Sequence, residues 1–435
     1  MSVLDMWHLF AAAHRRRREQ WSSPEELMET RTRRLRRLAA KASRTPHYQT
    51  VFHSARVSPE ELTDTTLERL PILEKASLRA TEAGRMLTEP AAKLFPVNTS
   101  GSTGVPLQVL RNQQDQAEVS AVWARVFAAY GRRIWDRQVN IGSGRAVARK
   151  GPVAKLRELG ILPRLYQLAS FDPPERQIAL LRSVQPQMIS AYAVGLELLA
   201  EAVLEAGITD LRPRVVYTSG MALTPRCREL AGRAFGVEPL DVYAANEVGP
   251  IAWECPVHRG ALHLNDDTQI TEIVDDEGRR VPVGTSGQVV VTQLLCTAQP
   301  LIRYRIGDIS SFRPEPCECG RGLRLMDPVE GRSYHIIRAP DGSVINTITV
   351  SSILSTTAEI RRYQVRQTSA RQLRILVVPD SSWNDTSAAA VRARFTERLG
   401  DSFDYEIQLV DDLPLTPGGK FQTIVPLAQE PASAS

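Results

Sequence analysis

The sequence predicts an α/β protein: a large N-terminal domain of mixed sheets flanked by helices, with a β-rich subdomain, followed by a small α+β domain. Helical patterns alternate with short apolar runs such as MISAY and PLDVYAAN, which favours a mixed or parallel sheet covered by helices. From about residue 261 strands and turns follow one another, with DDEG as a hairpin signal. After residue 332 strands and helices begin again. The predicted helices include 114–131, 175–184, 194–206, 225–235, 347–358 and 387–399.

The predicted domain boundaries follow these changes of pattern. Two SPEE motifs, at 23–26 and 58–61, are typical helix starts, because serine caps the first turn and proline pre-organises it. The C-terminal residues AQEPASAS lack the apolar side chains of a packed segment. We predict a helical lead-in over 1–75, a large N-terminal domain over 76–331, a small C-terminal domain over 332–427 and a disordered tail over 428–435.

The composition predicts a cytoplasmic protein without a membrane segment. The 435 residues include no run of about 18 apolar residues, and the start MSVLDMWHLFAAAHRRRR places apolar residues before the arginines, the reverse of a secretory signal. Five cysteines are too few for a disulfide framework in a chain of this size, which favours thiols or metal ligands. The net charge of +5 is a small excess, so we expect no nucleic-acid partner.

Arginines cluster in the N-terminal segment. Leu35, Leu38 and Ala42 recur among them at helical spacing, which predicts a solvated face of an amphipathic helix. Nucleic-acid binding is the alternative, and it predicts a strong dependence on salt. The clustered arginines are Arg15, Arg16, Arg17, Arg18, Arg31, Arg33, Arg34, Arg36 and Arg37.

The segment VNTSGSTGVP, from Val97 to Pro106, is typical of a loop that contacts phosphate. Its glycines permit positive φ and a close approach of backbone N–H groups to an anion, and its hydroxyls add donors. It is not a Walker A loop, because it lacks the lysine of that motif and is followed by a predicted strand, LQVL. An ordinary hairpin turn is the alternative. The candidate ligands are Thr99, Ser100, Gly101, Ser102, Thr103 and Gly104.

Two apolar runs in the large domain end in polar or small residues. DVYAANEVGP, at 241–250, places Asn246 and Glu247 directly after a predicted strand, where doubly wound sheets hold their ligands. A carboxylate there can hold Mg²⁺ against phosphates, and a structural glutamate is the alternative. YTSGM, at 217–221, is a strand that runs into a small-residue turn, which could pass along the plane of a base.

Two motifs nearer the C-terminus carry further candidates. PLIRYRIGD, at 300–308, ends in Asp308, whose carboxylate can accept hydrogen bonds from both ribose hydroxyls; an aspartate-capped turn is the alternative. LTPGGKF, at 415–421, holds Lys420 after two glycines. A lysine suits the charge that develops on a carboxylate as it attacks phosphate, or on the phosphate itself.

The order and spacing of these motifs resemble the adenylate-forming superfamily of acyl-CoA synthetases, adenylation domains and luciferases, and within it the phenylacetate-CoA ligase-like branch. The resemblance covers about residues 25 to 427. It implies a large N-terminal domain and a small, mobile C-terminal domain after a hinge near Arg332. It also implies a two-step reaction: a carboxylate attacks the α-phosphorus of ATP to give acyl-adenylate and pyrophosphate, and an acceptor then takes the acyl group.

The resemblance also implies a role for each motif. The loop at 99–104 would cradle the β- and γ-phosphates, and Glu247 would ligate Mg²⁺. Asp308 would hold the ribose, Arg332 would contact ribose or phosphate, and Lys420 would bridge the carboxylate and the α-phosphate. The remaining residues assigned to ATP or AMP are Ser219, Gly220, Tyr243 and Asn246.

The chain departs from the family pattern in two places. The family usually has Tyr-Gly-x-Ser/Thr-Glu, whereas this chain has Tyr243-Ala-Ala-Asn246-Glu247, so an amide replaces the hydroxyl that contacts phosphate. After Gly331-Arg332 it has Ser333, Tyr334 and His335 where acidic hinge residues are common. Because Glu247 and Lys420 are present, we still expect adenylation.

Two pairs of cysteine and histidine residues suggest a metal site. Cys255-Pro-Val-His258 and Cys317-Glu-Cys319 lie on either side of the β-rich segment. Three thiolates and one imidazole would satisfy a tetrahedral structural Zn²⁺ and join two loops. His263 competes with His258 as the fourth ligand, and thiols without a metal are the alternative interpretation.

The acid-binding pocket follows from the resemblance. It should be lined by residues around 139–144, 190–192 and 218–222. Four residues in these segments or directly after them suggest a flat apolar slot suited to an aryl acid. They are Tyr192, Ala193, Met221 and Ala222.

The sequence therefore predicts an ATP-dependent ligase for an aryl acid, with ATP, Mg²⁺ and a structural Zn²⁺ as candidate cofactors. The sequence does not decide whether the acyl acceptor is coenzyme A, a carrier-protein thiol or an amine. It also does not decide whether the protein is a homodimer. An enzyme that forms an amide or ester directly is the first alternative. A catalytically silent nucleotide-binding scaffold is the second.

Overall fold

The chain divides into two compact units, and each has its own core. The first comprises Met1–Ile306 and Ser310–Val329, and the second comprises Gly307–Ile309 and Glu330–Ser435. The computed structural model describes residues 3–89, 93–98, 107–142, 164–170, 172–329, 331–332, 337–341, 344–345, 350, 353–354, 357, 359–414 and 421–427. The predicted tail lies outside these residues, as does most of the predicted helix at 347–358.

Helices occupy the start of the chain and alternate with strands in the first unit. They are α1 (Val3–Glu19), α2 (Pro24–Ala42), α3 (Pro46–Ala55), α4 (Lys75–Ala80), α5 (Gln113–Ala129), α6 (Pro174–Val184), α7 (Ala193–Glu205), α8 (Pro225–Phe235) and α9 (Asp385–Leu399). Short 3₁₀ turns span Pro59–Glu61, Thr66–Arg69, Ala83–Met86 and Gly400–Ser402. Among the described residues, no helix is long and apolar enough to span a membrane.

The strands of the first unit come in chain order as follows: β1 (Phe95–Asn98), β2 (Gln108–Arg111), β3 (Arg137–Gly142), β4 (Arg164–Ala169), β5 (Met188–Ala191), β6 (Val215–Ser219), β7 (Leu240–Ala245), β8 (Gly249–Glu254), β9 (Leu262–Leu264), β10 (Gln269–Val274), β11 (Gly287–Gln293), β12 (Tyr304–Ser310) and β13 (Leu325–Met326). The central residues of β12 belong to the second unit.

The strands that complete the chain are β14 (Gly331–Arg332), β15 (Ile337–Arg338), β16 (Val344–Ile345), β17 (Ile360–Ser369), β18 (Gln372–Pro379), β19 (Asp404–Leu409) and β20 (Ile424–Val425).

The two SPEE motifs behave differently. Ser23 caps α2 through a capping box, in which its hydroxyl accepts from the Glu26 N–H and the Glu26 carboxylate accepts from the Ser23 N–H. Ser58 precedes only the three-residue turn Pro59–Glu61 and makes no side-chain cap. The second motif therefore starts a turn and not the predicted helix, because no apolar helical periodicity follows it.

A mixed sheet dominates the first unit, as predicted. Its described strands lie in the order β13-β9-β8-β7-β6-β5-β3-β4. The segment from β4 to β7 is parallel, and β7, β8, β9 and β13 continue antiparallel. The parallel part follows from the predicted alternation of strands and helices, because each helix carries the chain back to the same edge of the sheet.

Helices cover both faces of the parallel strands. Ile189 and Val216 pack with α6, α7 and α8 on one face. Met188, Val215 and Tyr217 pack with the end of α5 on the other. Neighbouring residues of β5 and β6 thus alternate between two apolar layers, which explains why these strands read as continuous apolar runs.

The β-rich part of the first unit forms as predicted. β10 and β11 pair antiparallel, and the turn at DDEG falls between them. Within it Gly278 has a φ of 83°, and its N–H donates to the carbonyl of Asp275 at 3.1 Å. Close by, β1 and β2 form a separate two-stranded ladder that pairs Asn98 with Gln108.

The second unit is built on a four-stranded sheet in the order β19-β18-β17-β20. Val391 and Phe395 of α9, both 0% exposed, pack with Val365 and Ile375 of that sheet. Its other ladders pair β15 with β16 and β14 with the middle of β12.

The prediction of a solvated arginine face is wrong for Arg16 and Arg31, which are only 1% and 7% exposed. Arg16 lies 3.4 Å from the carboxylate of Asp267, and Arg31 pairs with Asp64. Asp267 and Asp64 are distant from these arginines in sequence, so helical periodicity gives no sign of them. Arg15, Arg17, Arg18, Arg33, Arg36 and Arg37 are exposed as predicted.

Candidate functional site

The carboxyl ends of neighbouring parallel strands meet at one edge of the large sheet. The register pairs Ala191 of β5 with Thr218 of β6, and Ser219 with Val242 of β7. Because adjacent strands lie about 4.8 Å apart, the segments that follow β5, β6 and β7 converge there. These segments begin at Tyr192, Gly220 and Asn246. The structure thus brings together three of the stretches that the sequence singles out.

Glu247 lies in the tight turn between β7 and β8. Gly249 follows with a φ of 81°, and a Cβ at this position would come within 3.0 Å of Val119 Cγ1. The guanidinium of Arg111 donates to the carbonyls of Asn246 and Glu247, at 2.7 and 3.0 Å. The turn is therefore fixed both by its own backbone and by a buried arginine.

The carboxylate of Glu247 is held by two side chains. The residue is 7% exposed, and its Oε1 accepts a hydrogen bond from the Tyr304 hydroxyl at 3.1 Å. The same oxygen lies 3.4 Å from Lys75 Nζ. An oriented carboxylate is a ligand of the kind that a hard divalent cation such as Mg²⁺ prefers, and the Lys75 ammonium now occupies the oxygen that such a cation would take.

Asn246 contacts the segment that leads into the predicted phosphate loop. Its Nδ2 donates to the carbonyl of Asn98 at 3.0 Å, and Asn98 is the last residue of β1. The amide that replaces the hydroxyl of the family pattern thus has a partner within the chain. The loop residues Thr99, Ser100, Gly101, Ser102, Thr103 and Gly104 lie outside the described residues, as does Lys420, and their roles stay predictions.

Asp308 and Arg332 are opposite each other in the ladder between β12 and β14. Residues in direct register across antiparallel strands have Cα atoms about 4.5 to 5.5 Å apart. Asp308 is 8% exposed. Asp308, which the resemblance assigns to the ribose, and Arg332, which it assigns to ribose or phosphate, are therefore neighbours.

The predicted acid-pocket residues lie at the ends of β5 and β6. Tyr192 is the N-cap of α7, and Met221 is half-buried against the apolar cluster that includes Ala193. Ala222 is exposed, and Ala193 is only 2% exposed, which leaves it little surface for a ligand. All four contacts with substrate stay predictions.

The residues assigned to the nucleotide differ in exposure. Ser219 and Gly220 are half-buried at the end of β6, and Gly220 has a φ of 81°. Tyr243, in β7, is 8% exposed. Their contacts with ATP or AMP also stay predictions.

Three cysteines and one histidine meet in the first unit. Cys255, His263, Cys317 and Cys319 each offer a ligand atom, and these atoms lie within 4.8 Å of one another. Cys317 Sγ is 3.6 Å from Cys255 Sγ, and Cys319 Sγ is 3.2 Å from His263 Nε2. Of the two histidines that the sequence leaves open, the structure groups His263 with the three cysteines, and His258 lies outside the group.

The donor set fits a tetrahedral zinc ion. With Zn–S bonds of about 2.3 Å, the sulfur atoms of such a site lie roughly 3.8 Å apart. His263 Nδ1 lies 3.4 Å from the carbonyl of Leu323, so the tautomer that donates there leaves Nε2 for a metal. The cluster is mostly buried, which is typical of a structural rather than a catalytic site.

The directions of the pKa shifts of His263 and Cys319 fit metal ligands, and that of Cys317 does not. Burial, with the charge of Arg321, lowers the pKa of His263 to about 4, so its imidazole is neutral at physiological pH. Burial raises the pKa of Cys317 to about 12. Burial also acts to raise the pKa of Cys319, but hydrogen bonds from Arg321 outweigh it and lower that pKa. Without a cation Cys317 is therefore a thiol at neutral pH, and a bound metal ion would stabilise its thiolate form.

The loop that carries Cys317 and Cys319 is packed tightly against the N-terminal helices. A Cβ at Gly322 would lie 2.0 Å from the Ser22 carbonyl, so this position requires glycine. Arg321 lies over the ring of Trp21 at 4.4 Å and that of Trp253 at 5.1 Å, and its Nε donates to Gln20. The helical lead-in therefore supports the cysteine cluster.

The chain is similar to phenylacetate-coenzyme A ligases and to protein CapK. The model of the CapK C-terminal domain matches residues 337–426. The phenylacetate-coenzyme A ligase of Thermus thermophilus is 28% identical over 352 residues, 78% of each chain. That of Escherichia coli is 28% identical over 324 residues, 72% of each chain. Protein CapK of Staphylococcus aureus is 21% identical over 381 residues, 86% of this chain and 83% of its own.

Solved structures show the same fold. 2-Hydroxyisobutyryl-CoA ligase in the postadenylation state, in complex with R3-HIB-AMP, superposes with a TM-score of 0.79 at 20% identity, covering 94% of this chain and 91% of its own. The amide bond synthetase McbA from Marinactinospora thermotolerans has a TM-score of 0.52 at 23% identity, covering 73% and 66%. At these identities the likeness concerns the fold alone.

Sequence reasoning missed Lys75 as a member of the site. It lies at the start of α4, in a segment without glycines or a recognisable motif, and only the structure places it beside Glu247. Tyr304 is part of a motif that the sequence singles out, but nothing in the motif indicates its bond to Glu247. Both contacts join segments that are far apart in the chain.

Proposed function

We propose, from its similarity to phenylacetate-coenzyme A ligases, that the chain is an ATP-dependent carboxylic acid ligase. It forms an acyl-AMP and pyrophosphate, and it then transfers the acyl group to the thiol of coenzyme A. The similarity confirms the resemblance that the motifs predict. The observation that carries the proposal is the 28% identity over 352 residues, which extends through most of the chain.

The proposed reaction needs no nucleophilic side chain. A carboxylate oxygen of the acid attacks the α-phosphorus of ATP, and the bond from that phosphorus to the bridging oxygen breaks to release pyrophosphate. The coenzyme A thiol then loses its proton, its sulfur attacks the acyl carbon, and AMP leaves with the electrons of the acyl–oxygen bond. Positioning and electrostatic stabilisation therefore supply the catalysis.

The described residues would bind the nucleotide at the edge of the sheet. We propose that Glu247 ligates Mg²⁺, which would neutralise phosphate charge when bound. Tyr304 and Arg111 would hold Glu247 in place, and Asp308 would accept from the ribose hydroxyls beside Arg332. The fit of the carboxylate rests on its burial and on its bond to Tyr304.

Four further assignments complete the proposal. The loop at 99–104 would bind the β- and γ-phosphates, and Lys420 would bridge the carboxylate and the α-phosphate. A small C-terminal domain over 332–427 would follow the large domain over 76–331, and the CapK C-terminal domain match at 337–426 supports the position of this boundary. ATP and coenzyme A as substrates favour a cytoplasmic enzyme.

The acid is proposed to be an aryl acid. Relatives that carry the name phenylacetate-coenzyme A ligase support this class. Tyr192 and Met221, at the ends of two parallel strands, would line its ring.

Acid-dependent release of pyrophosphate tests the proposal. The purified chain is supplied with MgATP and with benzoic, phenylacetic, cinnamic, heteroaryl or short aliphatic acids, each with and without coenzyme A. We expect release with aryl acids and a thioester product only when coenzyme A is present. Turnover with an added amine and not with coenzyme A would favour the amide-forming alternative. No pyrophosphate release with any acid, together with no ATP–pyrophosphate exchange, would favour the scaffold alternative.

Lys420→Ala separates the two half-reactions. Because Lys420 is proposed to act only on the adenylation transition state, the variant should lose orders of magnitude in pyrophosphate release. Thioester formation from a supplied acyl-adenylate should stay largely intact. An equal loss in both steps would contradict the role of Lys420.

A structural zinc ion is a second proposal, and it rests on the group of Cys255, His263, Cys317 and Cys319. Elemental analysis of the purified chain should find about one zinc per molecule, the number that one tetrahedral site holds. Cys319→Ser should lose the metal, whereas Cys227→Ser, at a buried cysteine outside the group, should retain it. Equal zinc contents in the two variants would contradict the site.

A further inference from the structure

We propose that Lys75 is an additional substrate-positioning residue of this site. Its ammonium pairs with Glu247 when no nucleotide is bound, and it moves to the phosphates that leave as pyrophosphate when MgATP binds. The inference rests on the proposed function, because it assigns Lys75 to the nucleotide of that reaction. Its evidence is a set of contacts that spans three separate segments of the first unit.

The first contact is the pair itself. Lys75 Nζ lies 3.4 Å from Glu247 Oε1, which also accepts from the Tyr304 hydroxyl. The Lys75 side chain is 28% exposed and that of Glu247 is 9% exposed. The ammonium therefore borders the solvent side of a nearly buried carboxylate, where an incoming ligand can reach it.

The backbone before Lys75 is fixed to the strand that carries Tyr304. The Leu73 N–H donates to the carbonyl of Arg303 at 2.9 Å, and the Arg305 N–H donates to the carbonyl of Leu73 at 3.1 Å. Arg305 also forms a salt bridge with Glu74 at 2.9 Å. Lys75 is the next residue, so one strand sets the position of both side chains that touch Glu247.

The buried side chain of Arg303 holds the backbone that leads to Lys75. It is 2% exposed and has a φ of 51°, a strained conformation for a residue with a side chain. Its guanidinium donates to the carbonyls of Glu68 and Leu70, at 2.9 and 2.7 Å, and to Glu272 at 3.1 Å. The two arginines that flank Tyr304 thus both anchor the chain that presents Lys75.

Electrostatics predicts the movement of the ammonium. Lys75 and Glu247 form a neutral pair, and a Mg²⁺ ion on Glu247 would repel an ammonium that stays on the same oxygen. The phosphates of a bound ATP would offer the ammonium a replacement negative charge. Lysine is suited to this exchange because it is a point charge on a flexible stem with several rotatable bonds.

Lys75→Met tests the inference in three measurements. Loss of one charge-assisted contact should raise the KM for MgATP in pyrophosphate release by about ten- to a hundred-fold. Calorimetric titration should show the same weakening for MgATP and no change for AMP, which lacks the leaving phosphates. Thioester formation from a supplied acyl-adenylate should be unchanged, because that half-reaction involves no pyrophosphate.

Two variants serve as controls. Lys75→Arg keeps the charge and should recover most of the affinity for MgATP. Lys41→Met makes the same change at a lysine that donates to Thr297 Oγ1, outside the candidate site, and should leave all three measurements unchanged. Lys75→Met with wild-type affinity for MgATP, or with an equal loss for AMP and ATP, would overturn the inference. If the wild-type chain binds ATP through Lys75 but forms no acyl-adenylate from any acid, the inference stands and the ligase function fails.

Discussion

Glu247 shows how a short motif acquires a defined geometry. The motif places an acid after a strand, but its orientation comes from Tyr304 and Arg111, which lie far away in the sequence. A carboxylate fixed in this way needs little reorganisation to accept a cation, whereas a freely rotating side chain would lose entropy on binding.

Glu247→Gln should therefore raise the Mg²⁺ concentration needed for half-maximal activity. The amide can still accept from Tyr304, so the fold should be retained, but the charge that holds the metal is lost. The expected increase is about ten-fold or more, the usual effect of removing a charged partner. Pyrophosphate release measured against Mg²⁺ at fixed ATP checks this, and an unchanged metal dependence would remove the assignment.

Asp241, in the strand that leads to Glu247, is a buried carboxyl group with a raised pKa. Burial, together with the nearby charge of Glu254, raises its pKa from 3.8 to about 7, although Arg228 and a hydrogen bond with Thr218 partly offset this. The folded state therefore binds this proton more tightly than the unfolded state. Its contribution to stability is largest at low pH and is lost as the pH rises towards about 7.

Asp241→Asn should remove this pH dependence. Relative to wild type, the variant should gain about 3 kcal/mol in its free energy of unfolding between pH 5 and pH 8, at roughly 1.4 kcal/mol per pH unit up to the folded pKa. Urea denaturation at the two pH values gives the comparison. A difference between the two proteins that does not change with pH would show that the carboxyl group is not protonated in the folded state near pH 6.

At the scale of elements, an ionic cluster attaches the N-terminal helices to the rest of the first unit. The carboxylate of Asp267 is 0% exposed and lies 2.7 Å from Arg125 of α5, 3.4 Å from Arg16 of α1 and 3.9 Å from Arg34 of α2. Three helices thus share one buried acid. This explains why arginines on an amphipathic pattern turn inward.

Asp267→Asn should destabilise the protein strongly. Removing the carboxylate leaves the buried guanidinium of Arg125 uncompensated, at a cost of about 3–5 kcal/mol, whereas Arg16 and Arg34 still pair with Glu19. The matched control is Asp210→Asn, which breaks a pair with Arg182 whose side chains are 56% and 46% exposed, and which should change stability by less than about 1 kcal/mol. Chemical denaturation of both variants makes the comparison, and equally small losses would show that the cluster contributes little to stability.

Helices could be predicted well from the sequence where the apolar helical pattern extends over several turns. The helices predicted at 175–184 and 225–235 appear as Pro174–Val184 and Pro225–Phe235, because several turns of apolar residues define each one. The Ser58 motif failed as a helix start since no such periodicity follows it. Capping chemistry alone does not form a helix.

Contacts between distant segments could not be predicted in the same way. The choice between His258 and His263 depends on how β9 pairs with β8 and β13, which places His263 beside the cysteines. The position of Lys75 beside Glu247 depends on a β-bridge between Leu73 and Tyr304. Neither relation leaves a local pattern, because His263 and the loop of Cys317 and Cys319 are more than 50 positions apart, and Lys75 and Glu247 are more than 170 positions apart.

At the scale of the whole molecule, the two units have separate apolar cores. Leu196 and Val216 belong to a core of the first unit, and Val365 and Phe395 belong to that of the second. The four residues of the candidate zinc site all lie in the first unit. Units with independent cores need not unfold together, so one two-state transition is not expected for the chain.

Differential scanning calorimetry should accordingly resolve two transitions with separable responses. Phe395→Ala, which empties a buried site in the second unit, should lower only the transition of that unit, since such truncations cost about 3–5 kcal/mol. A zinc chelator should lower only the other transition, because the metal would stabilise the unit whose residues bind it. If both treatments shift one common transition, the units unfold cooperatively and their cores do not act independently. If the chelator has no effect while Phe395→Ala still acts on its own transition, the two-unit description holds and the zinc proposal loses its stabilising role.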